Sequence, residues 1–139
     1  AVPEWAELNT LFGEADMRTQ SEAAITRLGT VFWFVMEFGI CRENDNIKAF
    51  GPGMLSSFGE IEHACSSGAA CGREDACVCD PRIEYRTPDF EEMETRPYDV
   101  TKYQPMLYLW DSFEEMFEKT SEFVKTWGTE ADPRRELHQ

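Results

Sequence analysis

The sequence is poor in basic residues and in histidine. Its 139 residues include 13 lysines and arginines against 27 aspartates and glutamates, giving a net charge of −14, and two histidines. Nucleic acids and anionic membrane surfaces are bound through basic patches, so neither is an expected partner. Long apolar runs are also lacking, since the longest, Val31 to Met36, is far shorter than the roughly 20 residues that span a bilayer. We therefore expect no transmembrane segment.

Cysteine is present, but without the spacing that marks a structural zinc site. Four of the five cysteines lie in one segment, at Cys65, Cys71, Cys77 and Cys79. Their spacing lacks the two CxxC pairs of a zinc ribbon, which disfavours a metal site. In an oxidising compartment the four thiols could form one or two short disulfides, whereas in a reducing compartment they stay free. The sequence leaves both states open.

Apolar periodicity predicts one helix that is buried over much of its surface. The segment TQSE, residues 19–22, has the pattern of a capping box, so this helix is expected to begin near Gln20 and to end at Gly39. Its apolar residues recur every three or four positions: Ala24, Ile25, Leu28, Phe32, Val35 and Met36. Glu37 follows within the same apolar run. Because an unpaired buried carboxylate is costly, Glu37 requires a partner or a metal ion.

The remaining predicted elements are shorter. A strand is expected around residues 47–50, followed by a Gly-Pro-Gly break and a second helix from about residue 54. A second strand at residues 104–110 leads into a third helix, which has a capping box at Ser112 and ends at Gly128. The predicted fold class is therefore mostly α with short β strands, an α+β domain.

The chain is predicted to form a single domain over residues 1–139. Its parts are an N-terminal arm (1–18), the Glu37 helix with the Gly-Ser loop helix (19–66), an acidic loop rich in cysteine and proline (67–99), the strand with the C-terminal helix (100–128), and a tail (129–139). The arm carries apolar residues that could cover the core or form a docking face. The tail has no packing pattern and is expected to be solvated or held by a partner.

Two segments resemble a known family. FWFVMEFGICRENDNIKAFGPGMLSSFGEIEHA and PYDVTKYQPMLYLWDSFEEMFEK are similar, in this order, to the catalytic domain of the pterin-dependent aromatic amino acid hydroxylases. The resemblance covers about residues 29–125 and implies a partial hydroxylase-like fold, the C-terminal half of that domain. The E-F-G-x-C and G-x-G-x-L-S-S motifs at this separation are specific.

The resemblance also implies roles for individual residues. In the family, iron(II) is held by two histidines and one glutamate, and Glu37 matches that glutamate. Trp33 and Phe34 match aromatic residues that line the pterin and substrate pocket. Gly53 and Ser56 match a loop on the substrate side, where the serine hydroxyl supports a histidine ligand.

The pair of iron-binding histidines is missing from this sequence. The two histidines present, His63 and His138, lie outside the family's H-E-x-x-G-H motif. We therefore expect no cofactor in this chain, and a protein or water partner for Glu37. The predicted function is that of a non-catalytic accessory subunit in a larger assembly of proteins. The chain would then be a processed, soluble or peripheral protein of a plastid or mitochondrion, in an assembly at an organellar membrane.

The alternative is a fragment of an active aromatic amino acid monooxygenase. In that case iron(II) and tetrahydrobiopterin are the cofactors, Glu37 is an iron ligand, and Trp33, Phe34, Gly53 and Ser56 line the pocket. The protein would then be cytoplasmic.

Overall fold

Helices and a short mixed sheet make up the part of the chain that the structure describes. This computed structural model describes residues 2–44, 46–52, 84–100 and 105–134, without the side chains of residues 2 and 46. The elements are α1 (Val2–Arg18), α2 (Glu22–Phe32), a π-helical turn (Trp33–Glu37), β1 (Ile40–Glu43), β2 (Asn46–Ala49), β3 (Glu84–Arg86), α3 (Phe90–Thr95), β4 (Met106–Trp110) and α4 (Phe113–Thr126). The predicted α+β class is confirmed.

The four strands form one sheet in the order β2-β1-β4-β3. β1 and β2 form an antiparallel hairpin in which Ile40 lies opposite Ala49. The turn of this hairpin contains Asn44 at φ 51°, a left-handed conformation that asparagine tolerates better than most residues. β4 pairs in parallel with both β1 and β3. β2 and β4 match the two predicted strands, while β1 and β3 were not predicted.

Residues 2–18, for which the sequence predicts no helix, form α1. Leu8, Phe12 and Ala15 recur at helical spacing and are buried in the core against α4. At the end of α1, the Arg18 Nε atom donates to the Trp127 carbonyl at 2.6 Å and its Nη2 atom donates to the Val124 carbonyl. Arg18 thereby caps the C-terminus of α4, where a cation is favourable.

Helix α2 begins two residues later than predicted. Its N-cap is Ser21, whose hydroxyl accepts a hydrogen bond from the Ala24 N–H at 3.4 Å. Thr19, the predicted cap, belongs instead to the end of α1, where its hydroxyl donates to the Ala15 carbonyl at 2.6 Å. The capping-box pattern identified the helix but not its cap.

The predicted 67–99 loop is wrong where the structure describes it, because residues 84–86 form β3 and residues 90–95 form α3. Asp89 caps α3 by accepting from the Glu92 N–H at 3.3 Å. The predicted third helix is confirmed as α4: the Ser112 hydroxyl accepts from the Glu115 N–H at 3.0 Å.

The first part of the tail packs back onto the fold, so the prediction of an unpacked tail is wrong for residues 129–134. Arg134 donates to Glu94 Oε2 and to Asp132 Oδ1, both at 3.0 Å. Its guanidinium lies 4.6 Å from the ring centre of Phe123 and 4.8 Å from that of Trp127. The rest of the tail lies outside the described residues.

The main core lies between the helices and the sheet. Its largest fully buried side chains are those of Trp110, Trp127 and Tyr108, which come from β4 and the end of α4. A smaller cluster of Phe38, Ile40 and Leu107 adjoins it. Of the helices in the described ranges, none is both long and apolar enough to cross a bilayer.

Candidate functional site

The helix predicted to run to Gly39 departs from α-helical geometry in its last turn. From Trp33 to Glu37 the α-helical hydrogen bonding widens to a π-helical turn, in which the Phe38 N–H donates to the Trp33 carbonyl at 3.1 Å. Such single π turns accommodate an extra residue within a helix and are frequent at functional sites. The predicted residues Trp33, Phe34 and Glu37 all lie in this turn.

Two glycines hold the chain that follows β2 against the π turn. The Gly39 carbonyl accepts hydrogen bonds from the N–H groups of Phe50, at 3.1 Å, and Gly51, at 3.4 Å. A side chain on Gly39 would collide with the ring of Phe50 and the Val35 carbonyl, each at 2.2 Å. Gly39 is therefore required for close packing, whereas the helical turn ends at Glu37 and is capped by Phe38.

Glu37, the candidate metal ligand, ends the π turn. The residue is half-buried. Over the described ranges its carboxylate makes no hydrogen bond or salt bridge, so the predicted protein partner does not occur in that part of the chain. A half-buried carboxylate whose oxygens are not engaged is suited to bind a cation.

The donor set around Glu37 is incomplete for iron. In the described part of the chain, no group of three or more histidine, cysteine, aspartate or glutamate side chains is close enough to hold a metal ion. A facial triad requires two histidines and one carboxylate. The described residues therefore offer a candidate for one of the three protein ligands, the Glu37 carboxylate.

An aromatic column that includes Trp33 and Phe34 of the π turn runs from the core to the surface. The half-buried Trp33 ring lies 4.6 Å from that of Phe38, which is buried, with 43° between the planes. The Tyr98 ring is stacked on Trp33 at 4.6 Å and 17°, and its side chain is 41% exposed. Phe34 is buried and meets Tyr98 edge-on at 5.8 Å. Trp33 and Phe34 thus both contact Tyr98, and their role as walls of a pocket stays a prediction.

Tyr108 packs against Phe34 at the buried end of the aromatic column. Its ring meets Phe34 edge-on at 5.4 Å, and its hydroxyl donates to Glu92 Oε1 at 2.8 Å. The same carboxylate is paired with Arg86 and with Arg96, each at 3.0 Å. Burial, followed by the neighbouring Glu92 carboxylate, raises the pKa of Tyr108 well above its usual value. The hydroxyl therefore stays a donor and holds the Tyr108 ring against Phe34 across the ordinary pH range.

Neither Tyr98 nor Tyr108 was singled out from the sequence. Both lie in PYDVTKYQPMLYLWDSFEEMFEK, the second segment that resembles the hydroxylases. The family resemblance of that segment is the signal by which the two tyrosines could have been found. The other predicted site residues, Gly53, Ser56, Cys65, Cys71, Cys77 and Cys79, lie outside the described residues, and their roles stay predictions. The remaining cysteine, Cys41, is a buried free thiol whose pKa is raised by burial.

A groove of about 1180 Å³ lies between α1, the β1–β2 hairpin and α4. Its lining includes the rings of Phe50, Phe113 and Phe117, and its rim is rich in glutamate. Of the predicted site residues that the structure describes, none lines it: Trp33, Phe34 and Glu37 lie elsewhere. The groove is therefore distinct from the π turn that carries these three residues.

Comparison with known proteins identifies the fold and the family. The structure superposes on phenylalanine hydroxylase from Legionella pneumophila with a TM-score of 0.71 and 24% identity, over 96% of this chain and 50% of that one. A model of the biopterin-dependent aromatic amino acid hydroxylases matches residues 1–132. The chain belongs to this family.

Curated members of the hydroxylase family give the same result. Tyrosine 3-monooxygenase of Drosophila melanogaster is 35% identical over 138 residues, covering 99% of this chain and 21% of that protein. Rat phenylalanine-4-hydroxylase is 34% identical over 122 residues, covering 88% of this chain and 24% of the enzyme. The chain thus spans about a quarter or less of these two hydroxylases.

A hydroxylase with both cofactors bound shares the fold. Phenylalanine hydroxylase of Chromobacterium violaceum, with iron(III) and 7,8-dihydrobiopterin, superposes with a TM-score of 0.69 and 18% identity, over 94% of this chain and 43% of that one. The predicted resemblance to the C-terminal half of a hydroxylase catalytic domain is therefore confirmed for the family and the fold.

Proposed function

We propose that this chain is part of the catalytic domain of an iron- and tetrahydrobiopterin-dependent aromatic amino acid hydroxylase, in which Glu37 is the carboxylate ligand of the iron. One observation carries this proposal: the Glu37 carboxylate has no partner in the described part of the chain, although Glu37 is half-buried in the π turn that also carries Trp33 and Phe34. A carboxylate kept only for structure would be expected to have a hydrogen-bond or ionic partner there.

Glu37 would hold the metal from one side. The two histidines of a facial triad would come from a part of the protein other than these 139 residues, whose two histidines match no ligand motif. Family members several times longer than this chain support that arrangement. When bound, the iron and the reduced pterin would supply the oxygen chemistry that adds a hydroxyl group to an aromatic ring.

The chain's own aromatic residues would bind and orient the ring of the substrate. Trp33 offers a flat, half-buried apolar surface within the same π turn as Glu37. Phe34, held from below by Tyr108, would close the floor of the pocket and exclude water from it. Stacking and exclusion of water are what an apolar ring requires from such a site.

The accessory-subunit hypothesis, our first interpretation of the sequence, has less support. It rests on the missing histidine pair, whereas the family match and the uncommitted Glu37 favour an enzyme. Partner subunits and an organellar location stay predictions, as does a cytoplasmic location for the enzyme.

The test begins with the natural gene product that contains this chain. Its intact mass, iron content and turnover of phenylalanine, tyrosine and tryptophan with tetrahydrobiopterin are measured. The proposal predicts about one iron per chain and a hydroxylated product. A natural product near 16.0 kDa without iron would instead support the accessory subunit.

A matched pair of variants then tests Glu37 itself. Glu37→Gln keeps the shape of the side chain but removes its charge, so we expect iron retention to fall by roughly 10-fold or more. Glu43→Gln is the control, because Glu43 lies on the surface and pairs with Lys48 at 3.1 Å. Equal iron retention in the two variants would contradict the assignment of Glu37.

A further inference from the structure

We propose that Tyr98 is a built-in competitor of the substrate: its ring occupies the face of Trp33 on which an aromatic substrate would stack, and it must move away when the substrate binds. This inference rests on the proposed function, because it takes Trp33 to be the surface that receives the substrate ring. It concerns a residue to which the hypotheses above give no role.

The geometry around Trp33 supports this role. The Tyr98 and Trp33 planes differ by 17° and their centres are 4.6 Å apart, so no further ring fits between them. Phe38 also lies 4.6 Å from Trp33, but it is buried in the smaller core cluster. Of these two rings in the described part of the chain, only Tyr98 can therefore leave without opening the core.

The surroundings of Tyr98 also allow it to move. It lies after the end of α3, in a stretch without regular secondary structure whose residues 97–100 are all exposed. Its own side chain is 41% exposed, and the neighbouring Val100 is 68% exposed. Rotation of Tyr98 away from Trp33 would therefore break its stacking contact with Trp33 and its edge contact with Phe34, while leaving the buried core intact.

A competitor of this kind weakens the binding of every ligand that uses the same face. Aromatic pairs stabilise by an amount that corresponds to roughly a 2- to 12-fold population ratio. A ligand that binds only the open form loses affinity by the same factor. Tyr98 would thus set how much free amino acid is needed to fill the site, and its removal should tighten binding.

The first test measures binding in place of turnover. L-phenylalanine is titrated by calorimetry into the iron-free natural gene product and into its Tyr98→Ala, Tyr98→Phe and Val100→Ala variants. We expect the Kd to fall by roughly 2- to 12-fold in Tyr98→Ala and to stay unchanged in Tyr98→Phe, which keeps the stacked ring. Val100→Ala, a change in the same exposed stretch, should also leave the Kd unchanged.

Weaker or unchanged binding in Tyr98→Ala would overturn the proposal, since a ring that forms a wall of the site loses affinity when truncated. A second measurement needs no variant. In hydroxyl-radical footprinting of the unaltered protein, saturating L-phenylalanine should increase the oxidation of Tyr98, because the ring leaves its stacked position. Protection of Tyr98 would equally overturn the proposal.

The two proposals fail in different ways. A gene product that lacks iron and does not bind L-phenylalanine contradicts the proposed function, and the competitor role is lost with it. A product that binds iron and hydroxylates its substrate, but whose Tyr98→Ala variant does not bind more tightly, contradicts only the role of Tyr98.

Discussion

Gly51 lies directly against the main chain of Glu37. A Cβ atom at position 51 would be 2.3 Å from the Glu37 carbonyl oxygen and 2.5 Å from its carbonyl carbon. Contacts this short are not tolerated, so only glycine fits. Gly51, at the start of the Gly-Pro-Gly segment, therefore packs tightly on the backbone of Glu37, the candidate ligand. A shift of either backbone displaces the other.

Substitution of Gly51 should consequently disturb both stability and the site. We expect Gly51→Ala to lower the free energy of unfolding by about 2 kcal/mol or more, because the backbone must move to relieve the clash. Gly29→Ala is the matched control: Gly29 is exposed in α2 with open space around it, so the change should stabilise by up to about 1 kcal/mol. Urea denaturation of both variants decides the comparison, and equal effects would contradict the packing described for Gly51.

Loss of Arg134 should destabilise the protein in a pH-dependent manner. Glu94 is buried, and burial raises the pKa of its carboxyl group, against the opposing effect of Arg134. In Arg134→Ala the pKa of Glu94 should rise further. A carboxyl whose pKa is higher in the folded than in the unfolded state weakens the fold above the unfolded pKa, and this penalty vanishes as the pH falls.

We therefore expect Arg134→Ala to lose about 3 kcal/mol at pH 7 and clearly less near pH 4, as measured by denaturant unfolding. Adding Glu94→Gln should recover part of the loss at pH 7, because it removes the buried carboxylate that has lost its Arg134 partner. A loss that is the same at both pH values would show that Arg134 acts only through its packing on Phe123 and Trp127.

Tyr108 should make the fold sensitive to alkali. Its pKa is raised in the folded state by burial and by Glu92, so the unfolded chain loses the phenolic proton first. Stability is therefore retained below the unfolded pKa of about 10 and falls above it, by at most about 1.4 kcal/mol per pH unit. Tyr108→Phe should lose about 1 kcal/mol at pH 8 and then decline less steeply between pH 9 and pH 11. Parallel slopes in the two proteins would contradict this account.

The elements that the sequence predicts well are those with local signals. Helix α4 has its Ser112 cap and a regular apolar stripe, and β2 and β4 are short apolar runs next to turn residues. β1 has two buried residues followed by two exposed ones, and both of its buried residues also pair with β4, far along the chain. Such a strand depends on tertiary pairing, which a local pattern does not contain.

The site was predictable only in part for a similar reason. Family resemblance singled out Glu37, Trp33 and Phe34, which lie within five consecutive residues. The π turn was not predicted, since one extra residue in a helix leaves almost no trace in its apolar spacing. The stacking of Tyr98 on Trp33 was not predicted either, because it joins residues that only the fold brings together.

The packing of α1 on α4 affects how the protein is made. α1 leaves the ribosome before α4, which covers Leu8 and Phe12 and receives Arg18. Until α4 has been synthesised the apolar side of α1 lacks this cover, which exposes the nascent chain to aggregation and to capture by chaperones. Premature termination between α1 and α4 would therefore release a product in which the apolar side of α1 is left uncovered.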